Sequence, residues 1–230
     1  MKQNILIIGG SRGIGRAICD SLISENNIYS TYNNTETTDS AVHFTKLDIS
    51  CRQSVSAFVS NLTISFHAIV FNSGINRRGD FLEMTESDYD EVMNINLKSF
   101  VFLIQDLEKA GKLNPGMRLI FISSVASQYF GPTTCHYMLS KVGINALVKF
   151  LAQRYANKGI LVNAIAPGLI LTEQTQTEFE SGAAKKLIDR SLLKRPVSVD
   201  SLLTAVRFLV DEKNMDLTGH IIPLSGGAIL

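Results

Sequence analysis

The sequence predicts an α/β protein: a doubly wound parallel sheet of about seven strands with helices on both faces. Short apolar runs rich in Ile, Val and Phe alternate with longer segments of helical period. A glycine-rich turn directly follows the first run, and polar residues follow several later ones. The expected strands are residues 4–9, 28–32, 42–47, 68–72, 118–123, 161–164 and 221–224. The expected helices are residues 13–25, 51–62, 87–112, 135–157 and 199–210.

Composition restricts the classes of protein and partner. The chain has 230 residues, 45% of them hydrophobic, so one core and a single domain over residues 1–230 are expected. Lys and Arg number 22 against 21 Asp and Glu, which gives no field that favours nucleic acid or a membrane surface. The first apolar run stops at Gly9 and Gly10, too early for a signal peptide or a membrane span. We expect a soluble, cytoplasmic protein with a small-molecule partner.

The three cysteines give no sign of a metal or redox centre. Cys19, Cys51 and Cys135 are far apart in the chain, and an odd number argues against a disulfide framework. No metal site is expected.

The turn after the first expected strand has the composition of a phosphate-binding loop. It reads Gly9-Gly10-Ser11-Arg12-Gly13-Ile14-Gly15 and runs directly into a helical segment. Glycines let the backbone approach a pyrophosphate, whose charge then meets free N–H groups at the helix N-terminus. A bare loop or close helix packing would use the same glycines. Its place at the start of an alternating strand and helix pattern favours the nucleotide interpretation.

Two later strand ends extend this expected cofactor site. Asp48 and Ile49 follow the third strand, where a carboxylate could accept from the adenine amino group; an Asp capping the helix that begins near Ser50 explains it equally well. Asn72 and Gly74 follow the fourth strand. They form either a simple turn or one wall of the cofactor site, and their position at the same sheet edge favours the wall.

The end of the second strand bears on the choice of nicotinamide cofactor. An NAD site normally offers an acid there to the ribose hydroxyls, but this chain has Asn33 and Asn34. Arg12 is available to pair with a 2′-phosphate, unless it is only a solvated surface cation. NADP(H) is therefore the expected cofactor, with NAD as the alternative.

A second group of residues has the pattern of proton-transfer chemistry. Tyr137 and Lys141 are four residues apart and therefore share one face of an expected helix. Ser124 stands at the end of the strand before that helix. A phenol with a pKa near ~10 is a poor base at neutral pH unless a cation favours the phenolate, and Lys141 is such a cation. The neighbours His136 and Ser123 point in other directions if helix and strand geometry hold.

The glycine turn, the Asn-x-Gly, the serine and the Tyr-x-x-x-Lys resemble, in order and spacing, the short-chain dehydrogenase/reductase family, over essentially the whole chain. The resemblance implies a single Rossmann domain and a catalytic tetrad that Asn96 completes, at the position of the family's helix-kinking asparagine. It assigns Lys141 also to the nicotinamide ribose. The residues implied to contact the cofactor are Gly9, Ser11, Arg12, Gly13, Ile14, Gly15, Asn33, Asp48, Ile49, Asn72, Gly74, Tyr137, Lys141, Pro167, Gly168, Ile170 and Thr172.

Three positions depart from the family pattern. Ile8 replaces a threonine, Phe71 replaces a frequent asparagine, and Ser73 replaces an alanine. These changes alter hydrogen bonds that brace the loops, so we expect them to affect rigidity and not to abolish turnover.

Within the family the chain is most similar to reductases of beta-ketoacyl groups carried on acyl-carrier protein. An acidic carrier needs a basic surface, for which Lys109, Lys112, Arg118 and Lys158 are candidates. A dehydrogenase of a sugar, polyol or small hydroxy compound is the alternative, and a nucleotide-sensing regulator ranks lower because all four tetrad residues are present. The resemblance also implies a homotetramer or homodimer through the two long helices. Residues 168–196 lack a clear period and are expected to form a substrate lid.

Overall fold

The computed structural model describes residues 2–35, 37, 39–128, 134–171, 175 and 185–229. One sheet of seven strands, all parallel, runs through it in the order β3-β2-β1-β4-β5-β6-β7. The strands are β1 Gln3–Ile8, β2 Asn26–Tyr32, β3 Val42–Lys46, β4 Ala68–Phe71, β5 Arg118–Ile122, β6 Leu161–Pro167 and β7 Ile221–Leu224. The doubly wound α/β fold expected from the sequence is confirmed.

Helices connect the strands and cover both faces of the sheet. They are α1 Gly13–Leu22, α2 Arg52–Ser60, α3 Glu86–Met93, α4 Ser99–Lys109, α5 Cys135–Tyr155, α6 Lys185–Arg190 and α7 Val199–Val210. A π-helical turn, Asn94–Lys98, joins α3 to α4, and short 3₁₀ turns occupy Phe81–Glu83, Val125–Ser127 and Ala156–Lys158. In the part of the chain described, none of these helices has the length and hydropathy needed to cross a membrane.

Two apolar layers hold the helices to the sheet. On one face, buried side chains of α2, α4 and α5 pack against the strands, and Phe71 stacks on Phe121 with ring centroids 4.4 Å apart. On the other face, α1 and α7 pack through residues such as Ile18 and Val206, both fully buried. Because both faces are covered, the central strands are apolar along their whole length, which explains why they are visible as continuous Ile, Val and Phe runs.

Several boundaries differ from the expected ones for local reasons. The first helix ends at Leu22, where the side chain of Asn26 donates to the Leu22 carbonyl at 3.0 Å, and β2 begins at that same asparagine. Strand β6 extends three residues beyond the expected end and remains buried throughout. The expected helix 87–112 is interrupted by the π-helical turn, and α6 was not predicted because its surroundings lack an apolar period.

Candidate active site

The carboxyl ends of β1 and β4 lie side by side where the strand order reverses. The loops after these strands are joined there, because the Asn72 side chain donates to the carbonyl of Gly9 at 2.7 Å. Gly15 lies directly beneath: a Cβ at this position would come within 2.0 Å of the Gly9 carbonyl and 2.5 Å of Nδ2 of Asn72. Only glycine allows the first helix to approach so closely. The glycine turn and Asn72 therefore form one structure at the point where open α/β sheets bind ligands.

A threonine on the neighbouring strand braces the glycine turn. Gly9 has a φ of +85° and donates its N–H to Oγ1 of Thr31 at 2.9 Å, while Gly10 donates to the Thr31 carbonyl at 3.1 Å. This hydroxyl supplies a brace that Ile8 cannot. The sequence interpretation missed Thr31, because β2 also contains Asn26, Asn27 and Ser30 and its sequence does not single out one polar residue. Phe71, the second departure from the family pattern, is part of the core.

The N-terminus of α1 suits an anionic group. Arg12 is the N-cap residue and has an extended backbone. Within the described residues its side chain makes no capping hydrogen bond, and the first turn contains no acid. The first N–H groups of a helix have no partner within it, so those of Gly13 and Ile14 are suited to an anion, and the positive end of the helix dipole adds to their attraction. These residues fit the pyrophosphate of a dinucleotide.

The residues expected near adenine and the second phosphate are more exposed. Asp48 uses Oδ1 to accept from the backbone and the hydroxyl of Ser50, at 2.9 and 2.6 Å, so it at least braces the turn before α2. Ile49 packs on the core beneath it. Arg12 and Asn33 are both exposed, which leaves their ends accessible to a ligand.

The end of β5 and helix α5 bring the other expected residues together. Ser124 is the second residue after β5, and its hydroxyl is within hydrogen-bonding reach of Tyr137. The ammonium of Lys141 lies 5.6 Å from the centre of the Tyr137 ring and donates to the carbonyl of Ile122 at 2.9 Å. Ser124, Tyr137 and Lys141 are thus neighbours, as the spacing predicted.

Burial changes the acidity of both helix residues. Lys141 is only 4% exposed, and this burial lowers the pKa of its ammonium from 10.5 to about 8. Burial raises the pKa of Tyr137, and its hydrogen bond with Ser124 partly opposes that rise. At neutral pH the pair therefore consists of a protonated phenol and a charged ammonium, with a neighbouring hydroxyl that favours the phenolate.

Asn96 occupies the π-helical turn, facing the loop after β4. Its side chain accepts from the N–H of Ile75 and donates to the Ile75 carbonyl, both at 2.8 Å. It also donates to the hydroxyl of Ser140 at 3.1 Å, and that hydroxyl donates to the Tyr137 carbonyl at 2.7 Å. A π-helical turn often marks a functional position because it redirects side chains. Here it brings Asn96 against Gly74 and Lys141: a Cβ on Gly74 would lie 3.3 Å from Oδ1 of Asn96 and 3.6 Å from Nζ of Lys141.

The remaining expected cofactor residues follow β6. Pro167 ends the strand, Gly168 donates its N–H to the carbonyl of Leu224 at 2.8 Å, and Ile170 is buried and bridged to Val197. Thr172 lies outside the described residues. The described part of the expected lid borders a small groove beside Val125, together with residues near the C-terminus: Gly168, Leu169, Ile188, Arg190, Ser191, Arg195, Pro196, Val197, Ser225, Ala228 and Ile229.

His136 points away from the tetrad. It is 3% exposed, and neither ring nitrogen has a hydrogen-bond partner in the described part of the chain. It lines a cavity of about 390 Å³ with Arg77, Asp88 and Met138 among others, and Ser124, Tyr137 and Lys141 are not part of that lining. Arg77 itself is bound to Glu91 through two contacts of 2.7 and 2.8 Å. Neither residue joins the chemistry at Tyr137.

Arg118 is not part of a basic docking surface, contrary to expectation. It is 8% exposed at the start of β5, and its guanidinium donates to the carbonyls of Glu212 and Asn214 at 3.0 and 3.1 Å. Lys112 and Lys158 stand just before β5 and β6, at the sheet edge opposite to Ser124. The expectation was wrong for Arg118, Lys112 and Lys158, because these residues were chosen for their charge without regard to their position on the sheet.

No group of three or more His, Cys, Asp or Glu side chains within the described residues is placed to hold a metal ion. The three cysteines are free thiols.

Comparison with known proteins identifies the family. The family model described as Enoyl-(Acyl carrier protein) reductase matches residues 9–228. The chain belongs to the short-chain dehydrogenase/reductase family. The 3-oxoacyl-[acyl-carrier-protein] reductase FabG of Aquifex aeolicus is 31% identical to this short-chain dehydrogenase/reductase over 238 residues, covering 96% of this chain and 95% of the relative.

Solved structures of the same family share the fold. A short chain dehydrogenase family protein from Francisella tularensis has a TM-score of 0.90 at 26% identity, with 99% of both chains covered. The structure of ElxO with NADP bound has a TM-score of 0.89 at 25% identity, again covering 99% of both chains. The expectation of an oxidoreductase of this family is confirmed.

Proposed function

We propose that this chain is an NADP(H)-dependent reductase of a ketone, most specifically of a 3-oxoacyl group carried as a thioester on acyl-carrier protein. The observation that carries the proposal is the half-buried Tyr137 next to the buried Lys141 and the hydroxyl of Ser124. This arrangement has a proton donor, a cation and a second hydroxyl, which is what reduction of a carbonyl to an alcohol requires of the protein.

In the proposed nucleotide site, the residues that follow each strand contact a different part of the cofactor. The glycine turn, including Ser11, and the first residues of α1 hold the pyrophosphate; Asp48 and Ile49 border adenine. Arg12 and Asn33 meet the phosphorylated ribose. The structure of ElxO with NADP bound supports the choice of NADP(H) as the cofactor. Lys141 holds the nicotinamide ribose, while Asn72, Gly74, Pro167, Gly168, Ile170 and Thr172 surround the ring. When bound, the cofactor supplies or accepts the hydride.

The protein's own part is the movement of a proton. Tyr137 gives its phenolic proton to the substrate oxygen as the C–H bond forms at the carbonyl carbon, and the ammonium of Lys141 stabilises the phenolate left behind. Oγ of Ser124 accepts from the N–H of Ala126 at 3.1 Å, and its single hydrogen, which is directed at Tyr137 in the free protein, turns to the substrate oxygen when a ketone binds. Asn96 holds a water molecule, and through this water Lys141 exchanges protons with solvent.

The acyl substrate is supported by the names of the relatives. The Aquifex aeolicus relative is named 3-oxoacyl-[acyl-carrier-protein] reductase, and its similarity to this chain extends over nearly the full length of both. Basic residues for an acidic carrier are present on the cleft side, where Arg190 and Arg195 border the groove beside Val125 and Lys194 is adjacent. We propose that residues 168–196 close over the substrate and exclude water. A sugar, polyol or small hydroxy compound is the alternative substrate.

Association into dimers or tetramers is a further part of the proposal. Apolar side chains remain 37–58% exposed on α4 and α5: Val101, Leu139, Val142 and Phe150. Exposed apolar surface on paired helices suits an interface with a second copy. Sedimentation velocity of the purified chain tests this, and a monomer at micromolar concentration would rule it out.

The test measures oxidation of NADPH, and separately of NADH, with a panel of substrates. The panel contains a 3-oxoacyl thioester on acyl-carrier protein, the matching 2-enoyl thioester, and keto sugars. Tyr137→Phe should lower the rate by about 100-fold to 10,000-fold. The matched control is Tyr155→Phe on the same helix. Its hydroxyl donates to Glu108 at 2.9 Å, away from the tetrad, so this variant should keep the rate.

Each substrate gives a distinct result. Reduction of the 3-oxoacyl thioester, lost in Tyr137→Phe alone, supports the proposal. If the enoyl thioester or a keto sugar were preferred, the proposed substrate would be wrong and that compound class would take its place. Tight NADPH binding without any turnover would indicate a nucleotide sensor and not an enzyme.

A further inference from the structure

Hydrogen bonds beyond the tetrad join the end of β5 to helix α5. The hydroxyl of Ser123 donates to Oδ1 of Asn145 at 2.8 Å, and Nδ2 of Asn145 donates to the hydroxyl of Ser127 at 2.8 Å. The hydroxyl of Ser127 in turn donates to the backbone carbonyl of Ser124 at 2.5 Å. The series therefore begins on one side of Ser124 and ends on Ser124 itself.

The shortest contacts of this network are consistent with one another as donors and acceptors, and the Ser123 hydroxyl has only a longer contact of 3.5 Å with that of Ser127. Each hydroxyl has one hydrogen: that of Ser123 goes to the amide oxygen of Asn145. The Ser127 oxygen accepts a hydrogen bond from the side-chain amide of Asn145. The hydrogen of the Ser127 hydroxyl is then donated to the Ser124 carbonyl. Ser123 and Ser127 are only 3% and 8% exposed, so water does not readily replace a lost partner.

The helix gives this network its link to the chemistry. Asn145 lies one turn beyond Lys141 and two turns beyond Tyr137, so all three project from one face of α5. Lys141 binds the carbonyl of Ile122, one residue before Ser123. Two successive turns of the helix thus hold two successive residues of the strand end.

We propose that Asn145 is a positioning residue, which acts through Ser123 and Ser127 to fix the place of Ser124 relative to Tyr137. The inference rests on the proposed role of Ser124 in binding the substrate oxygen. A displacement of about 1 Å in a reacting group can cost about 100-fold in rate, so a partial loss of the network should cost less. Asn145→Ala should lower kcat about tenfold and leave the Kd for NADPH within twofold, because the glycine turn is on another loop.

The experiment combines amide hydrogen exchange with kinetics on the full-length protein. The N–H groups of Ala126 and Ser127 both donate to Ser124, at 3.1 and 3.0 Å, and report its local order without any substrate. Asn145→Ala and Ser127→Ala should each accelerate their exchange about tenfold, and the double variant should show no more than either single variant. The matched control is Asn163→Ala, a buried asparagine that bonds to Leu217 and His220 and should affect neither readout.

The two readouts separate this inference from the proposed substrate. Unchanged exchange in Asn145→Ala, or faster exchange with an unchanged kcat, would overturn the positioning role. Additive effects in the double variant would also overturn it, since two independent contacts would then be responsible. A wild-type protein that reduces no substrate of the panel would reject the proposed function, and the exchange rates would still decide whether Asn145 orders Ser124.

Discussion

The chemical half and the nucleotide half of the site differ in how firmly their side chains are held. Lys141 is 4% exposed and bonded to the β5 end, and Asn96 is fully buried with three hydrogen bonds. Arg12 and Asn33, by contrast, are exposed. The first half is held by hydrogen bonds within the protein, whereas the residues that we propose to meet the outer ribose are solvated.

Holding the chemical half of the site in a buried position costs folding free energy. Burial of a charged lysine disfavours folding, and among the described residues no carboxylate within ion-pair distance compensates Lys141. In the proposed mechanism this cost falls at the position where the charge assists proton transfer. Stability and activity should therefore respond in opposite directions at this position.

The largest effect is expected from Lys141→Met, which keeps a long apolar side chain and removes the charge. Activity should fall about 1,000-fold, since the phenolate of Tyr137 loses its cation. The pKa shift of Lys141 from 10.5 to about 8 corresponds to a burial cost of roughly 3 kcal/mol, partly offset by the bond to Ile122. The variant without cofactor should thus be about 1 kcal/mol more stable at pH 7, measured by denaturant unfolding. A variant that is less stable than the wild type would show that the ammonium is not a folding liability.

The next effect is a pH dependence with the same origin. The kcat/KM for reduction should be constant below pH 8 and fall about tenfold per pH unit above it, because Lys141 loses its charge. The free energy of unfolding should change in the opposite direction and increase with pH. Between about pH 8 and 10.5 the unfolded chain binds more protons than the folded one, so the Lys141 contribution becomes more favourable as pH rises.

The stability difference between Lys141→Met and the wild type should accordingly shrink over that window. Unfolding of both proteins at pH 7 and pH 10 measures it. A constant difference would mean that Lys141 does not titrate between those values in the folded protein.

A smaller effect is expected from Ser140→Ala at the edge of the buried half. The substitution removes one of three bonds to Asn96 and the bond to the Tyr137 carbonyl, while the two contacts with Ile75 remain. We expect kcat to fall about fivefold, corresponding to roughly 1 kcal/mol in the barrier. Ser21→Ala is the control: its hydroxyl also bonds to a helix carbonyl, that of Ile18 at 3.0 Å, and its kcat should be unchanged. If Ser140→Ala and Ser21→Ala had the same kcat, Ser140 would have no role in positioning Asn96.

The same contrast explains what the sequence could reveal. The alternation of apolar runs and helical periods predicted all seven strands. The signal is clearest in β4, β5 and β6, which are buried on both faces and therefore apolar along nearly their whole length. Tyr137 and Lys141 were recognisable because four residues on a helix are one turn apart. Both features are local in sequence.

Contacts between distant segments were not predictable in this way. Thr31 braces Gly9 from 22 residues away, and Asn145 reaches Ser123 from the same separation. Ser140 meets Asn96 across 44 residues. Each depends on the register between two elements, which a single sequence does not encode in any local pattern. The error about Arg118 has the same cause, since its charge was visible and its burial was not.

The smallest effect is expected at the exposed half. Arg12→Ala should weaken NADPH binding about fivefold, because an exposed ion pair contributes about 1 kcal/mol or less. The Kd for NADH should stay within twofold, since that cofactor has no 2′-phosphate, so NADH serves as the control within one variant. Fluorescence titration at two salt concentrations measures both constants, and the NADPH effect should decrease at higher salt. Equal weakening of both cofactors would place Arg12 at the pyrophosphate, in which case the preference for NADP(H) must come from other residues.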